Sequence, residues 1–189
     1  MKIIDARGLE CPKPVIKTKE AVDAGCNEIS VVVDNEVAVS NVTRFLEGQG
    51  FSVKRAEGTM ELEAVRTACA AEEKKSAGSL SVLFTSDKLG AESNGLGEVL
   101  MKAYIGTLLQ KETPPSAVAL MNEGVKMALP ESSVADSLKE LEKKGSSILV
   151  CGTCTKHFGI TEKILVGVVS NMFEITEAVF SADNHIVIG

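Results

Sequence analysis

The sequence predicts an α/β protein of two units: an N-terminal two-layer βαβαββ sandwich and a C-terminal, mostly parallel, three-layer α/β domain. In both halves, short β-branched runs alternate with longer segments of helical periodicity. The strands of the C-terminal half are continuously apolar, as in parallel sheets that are covered on both faces. Between the halves, residues 67–79 are rich in Ala, Glu, Lys and Ser and lose both periodicities, which is typical of a linker. We therefore predict domains at residues 1–66 and 80–189.

Turn and capping residues divide the N-terminal half into six elements. Pro12 begins a helix, because proline is tolerated in a first turn, and Gly25 ends it. Asp34-Asn35 can cap a second helix, whose apolar residues recur at i, i+3 and i+7 from Val39. The predicted elements are a strand at 2–6, a helix at 12–24, a strand at 28–33, a helix at 36–47 and hairpin strands at 51–55 and 60–65.

The C-terminal half alternates strands with helices throughout. Strands are predicted at 80–85, 117–121, 148–151, 165–169 and 186–188, and helices at 96–110, 134–144 and 172–181. Ser132 or Ser133 can cap the second of these helices, and Asn171 the third. Ligands of parallel sheets sit beyond the carboxyl ends of the strands. Two segments in that position, 86–94 and 151–157, carry polar or thiol groups.

Composition and charge exclude several classes of protein. The hydrophobic fraction is 44% and the net charge is −6. Neither half is basic, with 11 basic and 13 acidic residues up to position 76 and 9 and 13 beyond it, which argues against direct nucleic-acid binding. No apolar run approaches the ~20 residues of a membrane span, and no signal peptide is evident. We expect a cytoplasmic protein that does not bind membranes and whose five cysteines are mostly reduced.

One candidate reactive thiol is Cys11. With Pro12 as the first helical residue, Cys11 falls at the N-cap, where a thiolate can accept from the free amide of Lys13 and interact with the positive end of the helix dipole. Arg7 and Lys13 add positive charge nearby. Such a setting lowers the pKa of a thiol and makes the nucleophilic thiolate available at neutral pH. The alternative is that Cys11 is a small apolar residue that fills a turn.

A second candidate is the thiol pair of Cys151-Gly152-Thr153-Cys154, with His157 three residues further on. A structural zinc site needs four ligands and too few are at hand, so we expect no metal. A thioredoxin-like redox pair needs its first cysteine to open a helix, and with Gly159 close downstream we expect no helix start here. Three interpretations stay open: two thiols packed at a strand end, a site that handles a persulfide or a ligand, and a dithiol redox pair. His157 is either an acid or base for Cys154 or an ordinary surface residue.

The residues around Cys11 resemble those of the TusA/SirA-type sulfur carriers. The resemblance rests on Asp5, Arg7, Gly8, Leu9, Cys11, Pro12 and Pro14, together with the βαβαββ order over residues 1–66. It implies that Cys11 accepts a sulfane sulfur as a persulfide and passes it on. Arg7, Glu10, Pro12, Lys13 and Pro14 would then support that thiol.

The C-terminal half resembles the DsrE-like domain, which has a flavodoxin-like fold. The matching residues are Ser86-Asp87, Leu89-Gly90, residues 149–154 and residues 169–172. A TusA-like domain fused to a DsrE-like domain is the arrangement of the YedF-type family, which is associated with sulfur transfer and selenium metabolism. DsrE-type proteins relay a persulfide on a cysteine and often oligomerise, but the resemblance does not decide between Cys151 and Cys154.

We therefore predict a carrier of sulfur or selenium that needs no cofactor, in which Cys11 takes the chalcogen from a donor protein and relays it. The expected partners are a cysteine desulfurase or other persulfide donors and acceptors, docking on a basic face of Lys13, Lys17 and Lys19. A homo-oligomer through the DsrE-like domain is also expected. Whether the chain is itself an enzyme stays open. The alternatives are a non-catalytic regulatory or oligomerisation protein and a dithiol redox protein that uses Cys151 and Cys154.

Overall fold

The computed structural model describes residues 1–9, 12–56, 58–67, 79–91 and 93–189. The chain divides into two compact units, Met1–Lys74 and Lys75–Gly189. Most of the predicted linker, at residues 68–78, lies outside the described residues, and so do Glu10 and Cys11.

The N-terminal unit has the predicted βαβαββ order. Its elements are β1 (Lys2–Asp5), α1 (Lys13–Asp23), β2 (Glu28–Val32), α2 (Glu36–Gly48), β3 (Phe51–Arg55) and β4 (Glu61–Arg66). The sheet order is β1-β2-β4-β3, with β1 and β2 parallel and β4 antiparallel to both of its neighbours. The mixed sheet with two helices confirms the predicted fold class of this half.

The core of this unit lies between the sheet and the two helices. Ile29 and Val31 of β2 are buried and pair in register with Ala64 and Leu62 of β4. From α2, the residues predicted at i, i+3 and i+7 are all buried. The Asn35 side chain caps α2 by accepting the Ala38 N–H at 2.8 Å, as its sequence position predicts.

The C-terminal unit is built on a five-stranded sheet in which all neighbouring strands are parallel. Its elements are β5 (Leu80–Phe84), α3 (Leu96–Leu109), β6 (Ala117–Leu120), α4 (Ala135–Lys143), β7 (Ser147–Cys151), α5 (Gly152–His157), β8 (Val168–Ser170), α6 (Met172–Phe180) and β9 (Asn184–Ile188). The strand order is β8-β7-β6-β5-β9. The chain therefore steps outward from β5 to β8 and then returns to the other side of β5.

This strand order determines the layers. Parallel crossovers are right-handed, so the outward steps place α3 and α4 on one face, and the return step places α6 on the other. In agreement, α3 packs on α4, while α6 crosses β5, β6 and β7. Val82, Phe84, Val118 and Val150 lie fully buried in the sheet. The predicted three-layer α/β class is confirmed for this half.

Several local predictions were wrong. A helix, α5, begins directly after Cys151 and ends where the Gly159 N–H donates to the Lys156 carbonyl at 3.1 Å, so Gly159 terminates a short helix that was not expected. Two 3₁₀ segments, Asn122–Ala128 and Thr161–Lys163, were also missed. The helix α4 is capped by Val134 and not by the side chain of Ser132 or Ser133.

The strand β8 begins later than predicted because of Gly167. This residue has φ +78°, and a Cβ atom there would lie 2.6 Å from the Ile148 carbonyl oxygen of β7. The chain must turn closely against β7 at this point, and pairing starts only at Val168. Among the described residues, no helix is long and apolar enough to cross a membrane.

Candidate functional site

The loop after β1, which leads to Cys11, is held at the ends of two parallel strands. Arg7 donates to the Asp5 carboxylate through Nε to Oδ1 at 3.0 Å and through Nη2 to Oδ2 at 2.7 Å. The Gly8 N–H donates to Oδ2 of Asp34, which follows β2. The loop is thereby attached to both strand ends.

These hydrogen bonds keep both carboxylates ionised. The Arg7 side chain, together with its backbone N–H, lowers the pKa of Asp5 to about 2. The Gly8 N–H, and after it the Asn35 side chain, lowers the pKa of Asp34. The charge of Arg7, predicted to act near Cys11, is paired with Asp5 in this structure.

The start of α1 differs by one residue from the prediction. Pro12 is the N-cap, since its ψ of 13° departs from the helical value of about −42°, and its carbonyl accepts the N–H groups of Val15 and Ile16 at 3.0 and 3.1 Å. Cys11, which was predicted at the N-cap, lies outside the described residues and directly precedes Pro12 in the sequence. Lys13 is exposed in the first turn, and Pro14 is buried there.

The first turns of α1 and α2 lie at the same edge of the sheet. Because β1 and β2 are parallel neighbours, the helices that follow them start together, and the positive ends of their dipoles converge. A narrow apolar cleft of about 20 Å³ separates these turns, lined by Pro12, Pro14, Val15, Val37, Ala38 and Asn41.

The predicted basic face of α1 is partly engaged in local contacts. Lys19 forms an ion pair with Asp23 at 2.7 Å, and the Lys17 Nζ donates to the Asp5 carbonyl at 3.4 Å. Lys13, which is exposed next to Pro12, is the lysine of this set that lies nearest to Cys11 in the sequence.

The second candidate site lies at the carboxyl end of β7. Cys151 is the last residue of that strand and the N-cap of α5, and it is only 1% exposed. Cys154 lies one turn later, is half-buried, and accepts the Asn122 N–H on its Sγ at 3.2 Å. Asn122 begins the segment after β6 in a left-handed conformation with φ +47°, which asparagine tolerates better than most residues. The ends of β6 and β7 thus meet at Cys154.

The two thiols have different environments. Burial raises the pKa of Cys151 to about 11; the backbone N–H groups of Cys154 and Thr153 act in the opposite direction, and the Cys154 side chain adds to the increase. Both cysteines are free thiols. Cys151 is therefore a neutral thiol at physiological pH, adjacent to a more accessible one.

Sequence reasoning placed His157 near this pair but missed Asn122 and Lys126. Among the described residues, the ring of His157 packs edge-to-face on Phe158 at 5.1 Å and hydrogen-bonds neither thiol. Lys126 forms an ion pair with Glu123 and lies 4.7 Å above the Phe158 ring. A polar residue directly after a buried strand was the available signal for Asn122.

A cavity of about 290 Å³ opens beside the predicted loop 86–94. Asp87, Lys88, Glu98, Lys126, Ser132 and Ser133 contribute to its wall. Lys126, which lies over the Phe158 ring, also lines this cavity. In the described part of the chain, no three His, Cys, Asp or Glu residues are arranged to hold a metal ion.

Comparison with known proteins identifies both halves. Residues 2–66 match the family described as sulfurtransferase TusA, and residues 81–188 match the DsrE/DsrF-like family. A protein of Methanocaldococcus jannaschii, named as a candidate sulfur carrier, is 43% identical over 61 residues, which span 31% of this chain and 81% of that protein.

Two solved structures are also similar. A SirA-like protein of Desulfitobacterium hafniense is 32% identical, covers 36% of this chain and 100% of its own, and has a TM-score of 0.31. The YchN protein of E. coli is 18% identical, covers 58% of this chain and 99% of its own, and has a TM-score of 0.46. By its family matches, the chain belongs to the DsrE/DsrF-like family through residues 81–188 and carries at residues 2–66 a domain of the TusA family of sulfurtransferases and sulfur carriers.

Proposed function

We propose that this chain carries sulfane sulfur, or selenium, as a persulfide or its selenium analogue on Cys11, accepting it from a donor protein and delivering it to an acceptor protein. The observation that carries the proposal is the loop after β1, attached through Arg7–Asp5 and Gly8–Asp34 to the edge where α1 and α2 begin. Cys11 is bracketed in the sequence by this loop and by the N-cap Pro12. The resemblance to the TusA-type carriers implies that the cysteine at this position is the one that carries the sulfur.

The charges at this edge suit an anionic cargo. A terminal persulfide is an anion near neutral pH, and two converging helix N-termini favour an anion. The nearby carboxylates of Asp5 and Asp34 already accept hydrogen bonds from Arg7 and Gly8, which offsets their repulsion. Sulfur and selenium both need a soft nucleophile, so the same thiol serves either element.

Partner docking would use the surface around this edge. The exposed Lys13 supplies positive charge, Ile16 is 38% exposed, and the apolar cleft between the helix starts can receive a small apolar group. A cysteine desulfurase or another persulfide protein is the proposed donor. The chemistry needs a reducing compartment, because an oxidised Cys11 cannot attack a persulfide, and such a compartment is the one expected from the sequence.

The C-terminal unit offers a surface for self-association. Leu96, Val99 and Leu100 on α3 are 50%, 64% and 40% exposed, which is unusual for three large apolar residues on one helix. We propose that this face of α3 mediates a homo-oligomer, to be tested by sedimentation of a Val99→Lys variant against the unchanged chain. A smaller assembly in the variant is expected, and the same sedimentation for both proteins would refute the role of this face.

The carrier proposal is tested by loading the full chain with a cysteine desulfurase and free cysteine, followed by peptide mass analysis. We expect the Cys11 peptide to gain one sulfur atom, and Cys11→Ser to lose that gain. Cys26→Ser is the matched control, since Cys26 is a half-buried thiol of the same unit and should leave loading unchanged. Equal loading of Cys11→Ser, or no gain under conditions that load a known carrier, would refute the proposal. Replacing free cysteine with free selenocysteine tests whether the Cys11 peptide also gains a selenium atom.

A further inference from the structure

The two thiols of the C-terminal unit differ in exposure, and persulfide carriage on Cys11 assigns neither of them a role. Cys151 and Cys154 lie three residues apart at the start of α5, both are free thiols, and their side chains are in hydrogen-bond contact. A disulfide needs a Cβ–Cβ distance of about 3.5–4.5 Å, so a small side-chain and backbone adjustment lets the two sulfurs bond. The pair is therefore able to exchange two electrons.

The surroundings assign different roles to the two thiols. Cys154 is half-buried, and the Asn122 N–H donates a hydrogen bond to its sulfur at 3.2 Å. Cys151 is 1% exposed and stays protonated because of its burial. An incoming reagent therefore meets Cys154 first, and Cys151 can react only with something already attached to Cys154.

The local structure holds this arrangement in place. Thr155, next to Cys154, is fully buried; its hydroxyl donates to the Gly152 carbonyl at 3.1 Å and accepts from the Thr161 hydroxyl at 3.0 Å. The turn that carries Cys154 is thus anchored to the 3₁₀ segment that follows α5. This anchoring keeps the Cys154 sulfur facing the Asn122 amide.

We propose that Cys154 and Cys151 form a persulfide-reducing dithiol, in which Cys154 takes a sulfane sulfur from a persulfide and Cys151 expels it as hydrosulfide. This activity goes beyond the carrier function of Cys11 and does not depend on it.

The reaction balances in two steps. First, the Cys154 thiolate attacks the outer sulfur of R–S–SH; the S–S bond of the donor breaks, RS⁻ leaves, and Cys154–S–SH forms and loses its proton. Second, the proton of Cys151 passes to the outer sulfur of Cys154–S–S⁻, and the Cys151 thiolate so formed attacks the inner sulfur; the Cys151–Cys154 disulfide forms, and the outer sulfur leaves as HS⁻. The sulfane sulfur is reduced and the two thiols are oxidised. A thiol or dithiol reductant then restores the pair.

The buried thiol of Cys151 is suited to the second step. Without a proton, the outer sulfur of a persulfide anion would have to leave as S²⁻, and exchange is slow when the leaving group is so basic. A resolving cysteine that retains its proton supplies it to the leaving sulfur before it attacks.

The experiment uses the full chain with Cys11→Ser, so that failure of the carrier proposal cannot affect the result. The reduced protein is mixed with glutathione persulfide, and hydrosulfide release and peptide masses are followed for a single turnover. We expect one hydrosulfide per chain and a two-hydrogen mass loss on the peptide that holds both thiols. Adding Cys151→Ala should abolish this burst and leave one extra sulfur on Cys154, and adding Cys154→Ala should abolish both burst and uptake.

Cys26→Ser is the matched control and should change neither the hydrosulfide release nor the mass of the peptide that holds both thiols. A full burst with Cys151→Ala, or sulfur uptake on Cys151 in the Cys154→Ala protein, would overturn the assignment. If either alanine variant fails to fold, limiting iodoacetamide on the native Cys11→Ser chain decides the order of reactivity. Labelling of Cys154 before Cys151 supports the proposal, and the reverse order overturns it.

Discussion

Raising the pH should destabilise the C-terminal unit through one buried thiol. The pKa of Cys151 is about 11 in the folded chain, against 9.0 for an ordinary cysteine. Below pH 9, both states keep the proton, and stability does not depend on it. Between pH 9 and pH 11, the unfolded chain releases the proton while the folded chain retains it, so stability falls as the pH rises.

The expected loss follows from the two pKa values. At pH 10, the unfolded thiol is mostly ionised and the folded thiol is not, which corresponds to about 1.4 kcal/mol of unfolding free energy. The full difference of about 2.7 kcal/mol is reached only above pH 11. At pH 7.5 the contribution is close to zero.

Urea unfolding at pH 7.5, 8.5, 9.5 and 10 measures this effect, with Cys151→Ala as the reference protein. Tyr104, the single tyrosine of the chain, reports on the C-terminal unit by its fluorescence, and circular dichroism follows both units. Burial also raises the pKa of Tyr104, but that group is present in both proteins and cancels in their difference. A parallel loss of stability in the two proteins from pH 7.5 to pH 10 would refute the effect of the Cys151 thiol.

Two further predictions concern the Cys11 loop and the β7–β8 edge. Asp34→Ala removes the acceptor of the Gly8 N–H, so it should speed amide hydrogen exchange at Gly8 and slow sulfur loading by a desulfurase. Asp34→Asn is the control, because it keeps an acceptor oxygen. Unchanged exchange at Gly8 in both variants would contradict the role of the Gly8–Asp34 hydrogen bond. Gly167→Ala should destabilise the chain by more than about 1 kcal/mol in urea unfolding, because its φ is positive and its Cβ position is occupied by β7 backbone. Gly106→Ala is its control, since nothing lies within 4 Å of that helical position and a gain of about 0.5–1 kcal/mol is expected; a similar response of both variants would count against the close approach at Gly167.

Elements with strong local signals were predictable. Asn35 and Asn171 cap α2 and α6, because a side-chain oxygen near free amides acts within a few residues. The residues around Cys11 likewise indicate a sulfur carrier of the TusA family through their order along the chain alone. Signals of this kind carry their information without reference to distant contacts.

Elements that depend on distant contacts were predicted poorly. The six residues of α5 are too few to show a helical period, and this helix is supported by contacts such as Thr155–Thr161 and Cys154–Asn122. The hairpin of β3 and β4 was evident from the alternation of apolar and polar residues, but the position of β4 inside the four-stranded sheet was not. Pairing of β4 with β2 on one side and β3 on the other is a tertiary choice.

The thiols of the C-terminal unit show where local information ends. The sequence by itself determined that Cys151 closes an apolar strand and that Cys154 follows three residues later. Only the tertiary structure decided that Cys151 is buried and protonated while Cys154 faces a backbone amide. That difference depends on Asn122, which lies 32 residues away in the chain and is brought to Cys154 because β6 and β7 are adjacent parallel strands. Burial and hydrogen bonding are properties of the assembled sheet, and no spacing within the motif contains them.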